Sequence, residues 1–161
     1  MDNSEKPRFV ADAMVGKLAR WLRILGVDVI YDVSLDDHEL LALARSEKRI
    51  LLTRDNPLAS GSGGPTRLFI ESDDFREQLR QIVHAYQIDT ENALFTRCVD
   101  CNTPLESVAR REVREKVPPY VFSTQDQFKR CSQCDKILWG GTHREHMQKE
   151  LELIFTESEK G

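Results

Sequence analysis

The sequence has no long hydrophobic run. No window approaches the roughly 20 consecutive apolar residues that a membrane-spanning helix needs. The first nine residues are polar and lack the apolar stretch of a secretory signal peptide. We therefore expect a cytoplasmic protein that does not associate with a membrane.

The sequence also has no excess of basic charge. Its 23 Lys and Arg residues face 27 Asp and Glu residues, which gives a formal net charge of −4, and the acidic excess lies in residues 1–93. Simple electrostatic binders of nucleic acid are basic, so the bulk charge argues against that class. Acidic residues gathered in one cleft would instead attract divalent cations, and those cations reverse the local sign of the field.

Glycine-rich phosphate-binding motifs are missing as well. Gly61–Gly64 is not followed by the Lys and Ser or Thr of a Walker loop, and no Rossmann fingerprint occurs. The composition is nevertheless globular, with 40% hydrophobic and 31% charged residues. A chain of 161 residues is long enough for one domain, or for a domain plus a small module.

The first part of the chain alternates between strand and helix patterns. Short apolar runs predict strands, periods of 3.6 residues predict helices, and Gly, Ser and Pro predict a loop at 57–66. The predicted strands are 9–11, 27–31, 50–53 and 68–70, and the predicted helices are 13–25, 37–47 and 74–86. This alternation predicts the α/β class, with a parallel sheet flanked by helices and right-handed crossovers.

Three aspartates are expected at the carboxyl edge of that sheet, where ligands bind in such folds. Asp12 follows the first predicted strand, Asp55 follows the third, and Asp37 opens the second helix. Mg²⁺ and Mn²⁺ prefer carboxylate oxygens, and one or two such ions would activate water and stabilise a phosphoryl transition state. For Asp37, capping of the helix is an equally good explanation.

Further acidic candidates have simpler explanations. Asp32 follows Tyr31 and can simply end a strand, whereas Asp73 or Asp74 can simply cap the third helix. The sequence alone does not choose between these roles and a place in the proposed metal site.

A basic helix face begins beside Asp12. Lys17, Arg20 and Arg23 share this face, which would hold phosphates of a polynucleotide or would simply be solvated. Lys17 lies in the first turns and is the best phosphate contact, while solvation is the better explanation for Arg23. Arg54 adjoins Asp55 and is therefore close to the proposed chemistry.

The four cysteines form two pairs with metal-ligand spacing. Cys98 and Cys101 make one C-x-x-C knuckle, Cys131 and Cys134 make the other, and 29 residues separate the two knuckles. Four thiolates at this spacing predict one tetrahedral Zn²⁺ per chain. A closed four-thiolate shell leaves no open position, so this zinc is expected to be structural. Four reduced cysteines, or a redox pair, are the alternatives.

Five segments together resemble the Mut-seven C-terminal RNase family over about residues 8–150. Each segment alone is weak, whereas their combination in this order is specific. They are Val10-Ala-Asp12, the segment from Gly16 to Gly26, Ile50-Leu-Leu-Thr-Arg-Asp55, Arg97-Cys-Val-Asp-Cys-Asn102, and the segment from Cys131 to His143.

The resemblance implies a PIN-like nuclease domain at 7–93 and a zinc ribbon with a C-terminal helix at 94–156. It implies metal-dependent cleavage of RNA, which we expect to be single-stranded. The implied catalytic residues are Asp12, Asp37, Asp55 and, as a fourth acidic position, Asp73. We expect RNA contacts from Lys17, Arg20 and Arg54, widened by the ribbon's basic residues Arg97, Arg110, Arg111, Arg114, Lys129 and Arg130.

Two other functions stay open at this point. A non-catalytic RNA-binding or adaptor module would keep the same fold without turnover. A phosphohydrolase would use similar carboxylates on a small phosphate ester. A cleavage assay on RNA and DNA with Mn²⁺ or EDTA, comparing wild type with Asp12→Asn, separates these possibilities.

Overall fold

The computed structural model describes residues 6–61 and 63–160, with only the backbone for residues 157–160. The chain divides into two compact units, Met1–Asn102 and Thr103–Gly161. None of the described helices has the length and apolar character needed to cross a membrane. The predicted functional boundary between residues 93 and 94 stays a prediction.

The first unit contains a four-stranded parallel sheet with the order β2-β1-β3-β4. Strands and helices alternate along the chain, so the predicted α/β class is confirmed. The elements are β1 (Phe9–Ala11), α1 (Gly16–Ile24), β2 (Val29–Tyr31), α2 (Asp37–Ser46), β3 (Ile50–Thr53), α3 (Asn56–Ala59), β4 (Arg67–Phe69) and α4 (Phe75–Tyr86).

Helices cover both faces of this sheet, as the continuous apolar strands require. On one face, Val10 and its register partner Leu51 pack with Leu40 and Ala44 of α2. Phe9, one residue earlier in β1, contacts Tyr86 of α4 edge to face, with ring centroids 5.3 Å apart. The alternation of side chains along β1 therefore divides the core into two layers.

The strand order reverses between β1 and β3. The connection through α1 carries the chain from β1 to β2 on one side, and the connection through α2 carries it back past β1 to β3. Where the order reverses, the two connections leave a crevice beyond the carboxyl ends of the strands, and ligands bind there in open α/β sheets. The residues that follow β1 and β3 therefore occupy the position from which a site is built.

The segment predicted as a loop begins with a short helix, α3. Asp55 accepts a hydrogen bond from the Leu58 N–H at 3.1 Å, and Pro57 occupies the first turn. A side-chain cap and a proline that already holds a helical φ stabilise one turn of helix. The glycines and serines that predicted a loop lie beyond this turn.

The turn into α1 depends on a glycine. The Tyr31 hydroxyl donates to the Ala13 carbonyl at 3.3 Å, which ties the end of β2 to the turn after β1. A Cβ atom on Gly16 would lie 2.5 Å from that hydroxyl. A larger residue at this position would force the Tyr31 side chain to shift and would disturb its hydrogen bond to Ala13.

The second unit contains a small antiparallel sheet with the order β5-β6-β7. Its described elements are β5 (Glu106–Val108), α5 (Pro119–Thr124), β6 (Phe128–Arg130), β7 (Ile137–Leu138) and α6 (Thr142–Lys160). Val113, Val117 and Phe128 form the core cluster, and Trp139 packs edge-on against Phe128 with centroids 6.4 Å apart. A core of this size gains substantially from a metal cross-link.

Candidate functional site

Asp12 lies directly beyond β1 at the point where the strand order reverses. Its backbone N–H donates to the Leu52 carbonyl at 3.0 Å, so the ladder between β1 and β3 continues to this residue. The side chain is only 5% exposed. Its Oδ1 accepts a hydrogen bond from the Met14 N–H at 2.9 Å and thereby starts the 3₁₀ turn Ala13–Val15. The carboxylate is therefore held at the sheet edge.

Thr53, the last residue of β3, connects Asp12 with Asp55. Its hydroxyl donates to Asp12 Oδ2 and accepts a hydrogen bond from the Asp55 N–H at 2.9 Å. Thr53 is fully buried, and Asp55 is half-buried. Sequence reasoning missed Thr53, although it precedes Asp55 by two residues and ends the strand that pairs with β1.

This arrangement is chemically suited to a hard divalent cation. Mg²⁺ keeps several waters and takes one or two protein carboxylates, and each carboxylate oxygen has two lone pairs, one of which remains after a single hydrogen bond. Asp12 and Asp55 each keep carboxylate lone pairs that could bind such an ion. Among the side chains of residues 6–61 and 63–156, no group of three or more acidic or histidine side chains converges at one point.

Asp37 and Asp73, the other two predicted acidic residues, are exposed and cap no helix. The N-cap of α2 is Asp36, whose carboxylate accepts from the Glu39 N–H at 2.8 Å in a capping box. In the described residues, no hydrogen bond joins Asp37 or Asp73 to Asp12 or Asp55. Their proposed role in the site stays a prediction. Helix capping, which was the alternative role for both residues, does not apply to either of them.

The remaining acidic candidates, Asp32 and Asp74, accept hydrogen bonds from nearby backbone N–H groups. Asp32 accepts hydrogen bonds from the Ser34 hydroxyl at 2.6 Å and the Ser34 N–H at 2.9 Å. These hydrogen bonds hold the pKa of the Asp32 carboxyl below its usual range. Asp74 accepts from the Arg76 N–H at 3.2 Å and caps α4.

The three predicted RNA-binding cations have different surroundings. The Lys17 ammonium lies 4.2 Å from the centroid of the Phe75 ring. Arg20 forms a long ion pair with Asp100 at 3.7 Å, and both side chains are about half exposed. Arg54 donates from Nε to the Ile70 carbonyl at 3.2 Å and from Nη2 to the Glu71 carbonyl at 3.4 Å. Lys17 is therefore the best placed of the three to meet a phosphate.

Arg23 is buried, so the expectation that it is solvated was wrong. Its Nε donates to the Val29 carbonyl at 3.0 Å and its Nη1 donates to the Val99 carbonyl at 2.7 Å. Burial lowers its pKa from the usual arginine value. Helical periodicity placed Arg23 on the polar face of α1, but it could not show that residues around Val99 cover this part of the face.

A buried charge network joins the start of β2 to Asn102. Arg49, at 7% exposure, donates from Nη1 to Asp28 at 2.8 Å, and the Asn102 amide donates to the same carboxylate at 2.7 Å. Burial alone would raise the pKa of Asp28, but the hydrogen bonds from Arg49 and Asn102 outweigh it, so the pKa lies below its usual range. The network ties Asn102, which directly follows the first knuckle, to Asp28 in the same unit.

The two cysteine knuckles have the same local geometry. The Asn102 N–H donates to the Cys98 carbonyl, and the Asp135 N–H donates to the Cys131 carbonyl, each at 2.8 Å. Asn102 and Asp135 both adopt positive φ, at 65° and 62°, in the left-handed region that Asn and Asp tolerate best among non-glycine residues. Each chain reversal aims two sulfur atoms in the same direction.

The four sulfur atoms together form a possible zinc site. The ligand atoms of the four cysteines all lie within 4.8 Å of one another. Tetrahedral zinc holds each thiolate sulfur at about 2.3 Å, which requires the sulfurs to approach this closely. Cys98 and Cys131 are fully buried, whereas Cys134 is exposed. The predicted convergence of these residues is confirmed, and the chemistry of the donor set fits zinc.

Two basic residues of the second unit, Arg110 and Arg130, make contacts within that unit. Arg110 donates to the carbonyls of Phe122 and Gln125 and lies 4.0 Å from the centroid of the Phe122 ring. Arg130 forms an ion pair with Glu106 at 3.2 Å. Arginines predicted to widen an RNA surface therefore also stabilise this unit.

Comparison with known proteins adds independent support for a nuclease. The family model described as the Mut7-C RNase domain matches residues 7–151. A human protein named exonuclease mut-7 homolog is 35% identical over 101 aligned residues, and the match covers 59% of this chain and 12% of that protein. The chain thus spans a small part of the length of that relative. No solved structure matches this chain.

Proposed function

We propose that this chain, which belongs to the Mut7-C RNase domain family, hydrolyses RNA phosphodiester bonds with the help of Mg²⁺ or Mn²⁺. The family supports a nuclease, and its description as an RNase domain supports RNA as the substrate. The observation that carries the metal dependence is the connection from Asp12 through Thr53 to Asp55 at the crevice between β1 and β3.

Asp12 and Asp55 would hold the ion, and Asp37 and Asp73 would supply further oxygens at the same edge. A bound Mg²⁺ or Mn²⁺ neutralises phosphate charge and lowers the pKa of water. Thr53 keeps the Asp12 carboxylate in one orientation. Because Asp12 is buried, few water molecules compete with an ion for its oxygens. Lys17 would bind the phosphate backbone of the substrate beside this position.

Single-stranded RNA is the proposed substrate because apolar side chains are exposed at this edge. Met14 follows β1 and is 61% exposed, and Val33 follows β2 and is 69% exposed. Unpaired bases present faces that contact such side chains, whereas the bases of a duplex cover one another. Two exposed apolar residues at the edge that carries the carboxylates therefore favour a single strand.

We also propose that the four cysteines hold one structural zinc ion per chain. The proposal rests on the convergence of four sulfurs and on the matching geometry of the two knuckles. Four thiolates fill a tetrahedral shell, so this ion has no open position for water or substrate.

The function is tested by cleavage of end-labelled 20-residue RNA and DNA in Mg²⁺, Mn²⁺ or EDTA. We expect wild type to cleave RNA only with a divalent cation, and Asp12→Asn and Asp55→Asn to lower the rate at least about a hundredfold. Asparagine keeps the shape of aspartate and removes the charge, so RNA binding should survive in both variants. Asp126→Asn, which removes an exposed carboxylate of the second unit, is the matched control.

Two results would contradict the proposal. Wild type that binds several single-stranded RNAs in Mn²⁺ without cleaving them would indicate a non-catalytic RNA-binding module. Cleavage that is unchanged in both Asp12→Asn and Asp55→Asn would place the chemistry elsewhere.

A further inference from the structure

One buried aromatic ring of the first unit contacts two exposed cations from different helices. The Lys17 ammonium of α1 lies 4.2 Å from the centroid of the Phe75 ring, and the Arg76 guanidinium of α4 lies 4.6 Å from the same centroid. Trp21, one turn after Lys17, stacks with this ring at 5.6 Å and 21°. Phe75 is buried, and both cations are exposed, so a rigid ring fixes the position of two solvent-facing charges.

The two cations are close enough to contact one anion. Because both distances refer to one centroid, the cationic groups are separated by at most the sum of the two, about 9 Å. Asp74 lies 3.9 Å from Arg76 Nη1, near the outer limit of an ion pair. Like charges repel at this separation, and an anion between them converts the repulsion into attraction.

The pair lies at the same edge of the sheet as the proposed chemistry. Lys17 is the second residue of α1, which follows β1 and Asp12, and Arg76 is the second residue of α4, which follows β4. Both helices present their N-termini here, and the helix dipoles add positive potential. Cations of this kind contact phosphates and position a strand without reading its bases.

We propose that Lys17, Arg76 and the Phe75 ring form a phosphate clamp, which holds the backbone of the RNA strand beside Asp12 and Asp55. The inference rests on the proposed function for the identity of the strand. It assigns a binding role to Arg76, which sequence reasoning did not select. It pairs Lys17 with Arg76, rather than with Arg20 or Arg54, because the cationic groups of Lys17 and Arg76 contact the same ring.

The test measures binding separately from cleavage. Fluorescence anisotropy with a labelled 12-residue oligouridine, in EDTA and from 0.05 to 0.3 M KCl, gives the affinity and its salt dependence for the full chain. The variants are Lys17→Gln, Arg76→Gln and the double substitution, because glutamine keeps part of the stem over the ring and removes the charge. Arg45→Gln, an exposed cation in the last turn of α2, is the control for loss of one positive charge.

Each clamp variant should weaken binding about fivefold at 0.1 M KCl and reduce the slope of log K against log salt by about 0.7, the value for one phosphate contact of a single strand. The double variant should reduce the slope by about 1.4, and Arg45→Gln should leave it unchanged. The same oligonucleotide as DNA should show the same changes, since the clamp contacts phosphate.

The outcomes separate this inference from the proposed function. Equal affinity and slope for wild type and both clamp variants would overturn the clamp, even when RNA is cleaved as proposed. Changed slopes in a protein that cleaves nothing in Mn²⁺ would support the clamp and contradict the nuclease. A lower melting temperature in Lys17→Gln and Arg76→Gln with unchanged binding would show that the pair only stabilises the fold, which also overturns the clamp.

Discussion

Replacing Thr53 by valine tests the hydrogen bonds that join the two aspartates. Valine has nearly the same shape, so the substitution removes the hydroxyl and little else. Asp12 Oδ2 then loses its donor and the Asp55 N–H loses its acceptor. A buried polar group without a partner costs about 1 to 3 kcal/mol. Because Asp12 is buried and Asp55 is half-buried, we expect Thr53→Val to lower the free energy of unfolding by about 2 to 4 kcal/mol.

Thr53→Val should also lower the cleavage rate, for a reason that is separate from its effect on stability. Thr53 orients a proposed metal ligand, and loss of such an orienting partner typically costs about 10- to 100-fold in activity or metal affinity. Thr53→Ser keeps the hydroxyl and loses one methyl group, so it should cost only about 1 kcal/mol and retain most of the cleavage rate. Cleavage is compared in Mn²⁺ at a temperature where both variants are folded.

Urea unfolding followed by Trp21 fluorescence, in a Trp139→Phe background, measures the first unit. Thr66→Val, an exposed threonine in the same unit, is the control and should change stability by less than about 0.5 kcal/mol. The reasoning is refuted if Thr53→Val is as stable as this control. It is also refuted if Thr53→Ser loses as much cleavage as Thr53→Val, since the hydroxyl would then not be the relevant group.

The remaining predictions concern the zinc site and the buried charge network. Cys98→Ser combined with Cys131→Ser should abolish bound zinc, measured by elemental analysis, and should expose Cys101 and Cys134 to thiol reagents; one zinc per chain retained in this variant would contradict the assignment. Asp28→Asn should lower the free energy of unfolding by about 1 to 3 kcal/mol at pH 7, because a charged partner of Arg49 is lost. Since the pKa of Asp28 is lowered in the folded state, its contribution is present above the unfolded value of about 3.9 and is lost as pH falls through the folded pKa. The difference between wild type and Asp28→Asn in urea unfolding should therefore shrink from pH 7 to pH 3, and a difference independent of pH would contradict it.

The sheet and its helices were predictable because their signals are local. Short, mostly apolar runs of three to five residues marked all four strands of the first unit, and the period of 3.6 residues marked α1, α2 and α4. The positions of Asp12 and Asp55 followed from the strands, because the end of a parallel strand fixes the edge on which the next residue lies. The convergence of the cysteines followed from their spacing in the two knuckles.

Partners that come from distant parts of the chain were not predictable. Nothing in the local pattern shows that Asp100 pairs with Arg20, or that the Val99 carbonyl accepts from the buried Arg23. The contacts of the Phe75 ring with Lys17 and Arg76 likewise depend on the packing of α1 beside α4. Periodicity assigns a side chain to a face, but tertiary packing decides what meets that face.

The choice of substitution at Asp12 decides whether a mutational experiment reports on chemistry. Asp12 begins the turn into α1 through its hydrogen bond from the Met14 N–H, so alanine would remove a cap worth about 1 kcal/mol together with the charge. Asparagine keeps an oxygen that can accept this hydrogen bond, and the Thr53 hydroxyl can still pair with its amide. Asp55 has the same double role, because it caps α3 through the Leu58 N–H. Loss of cleavage in the alanine variants would therefore be ambiguous. The same loss in the asparagine variants, with an unchanged free energy of unfolding, can be attributed to the missing negative charge.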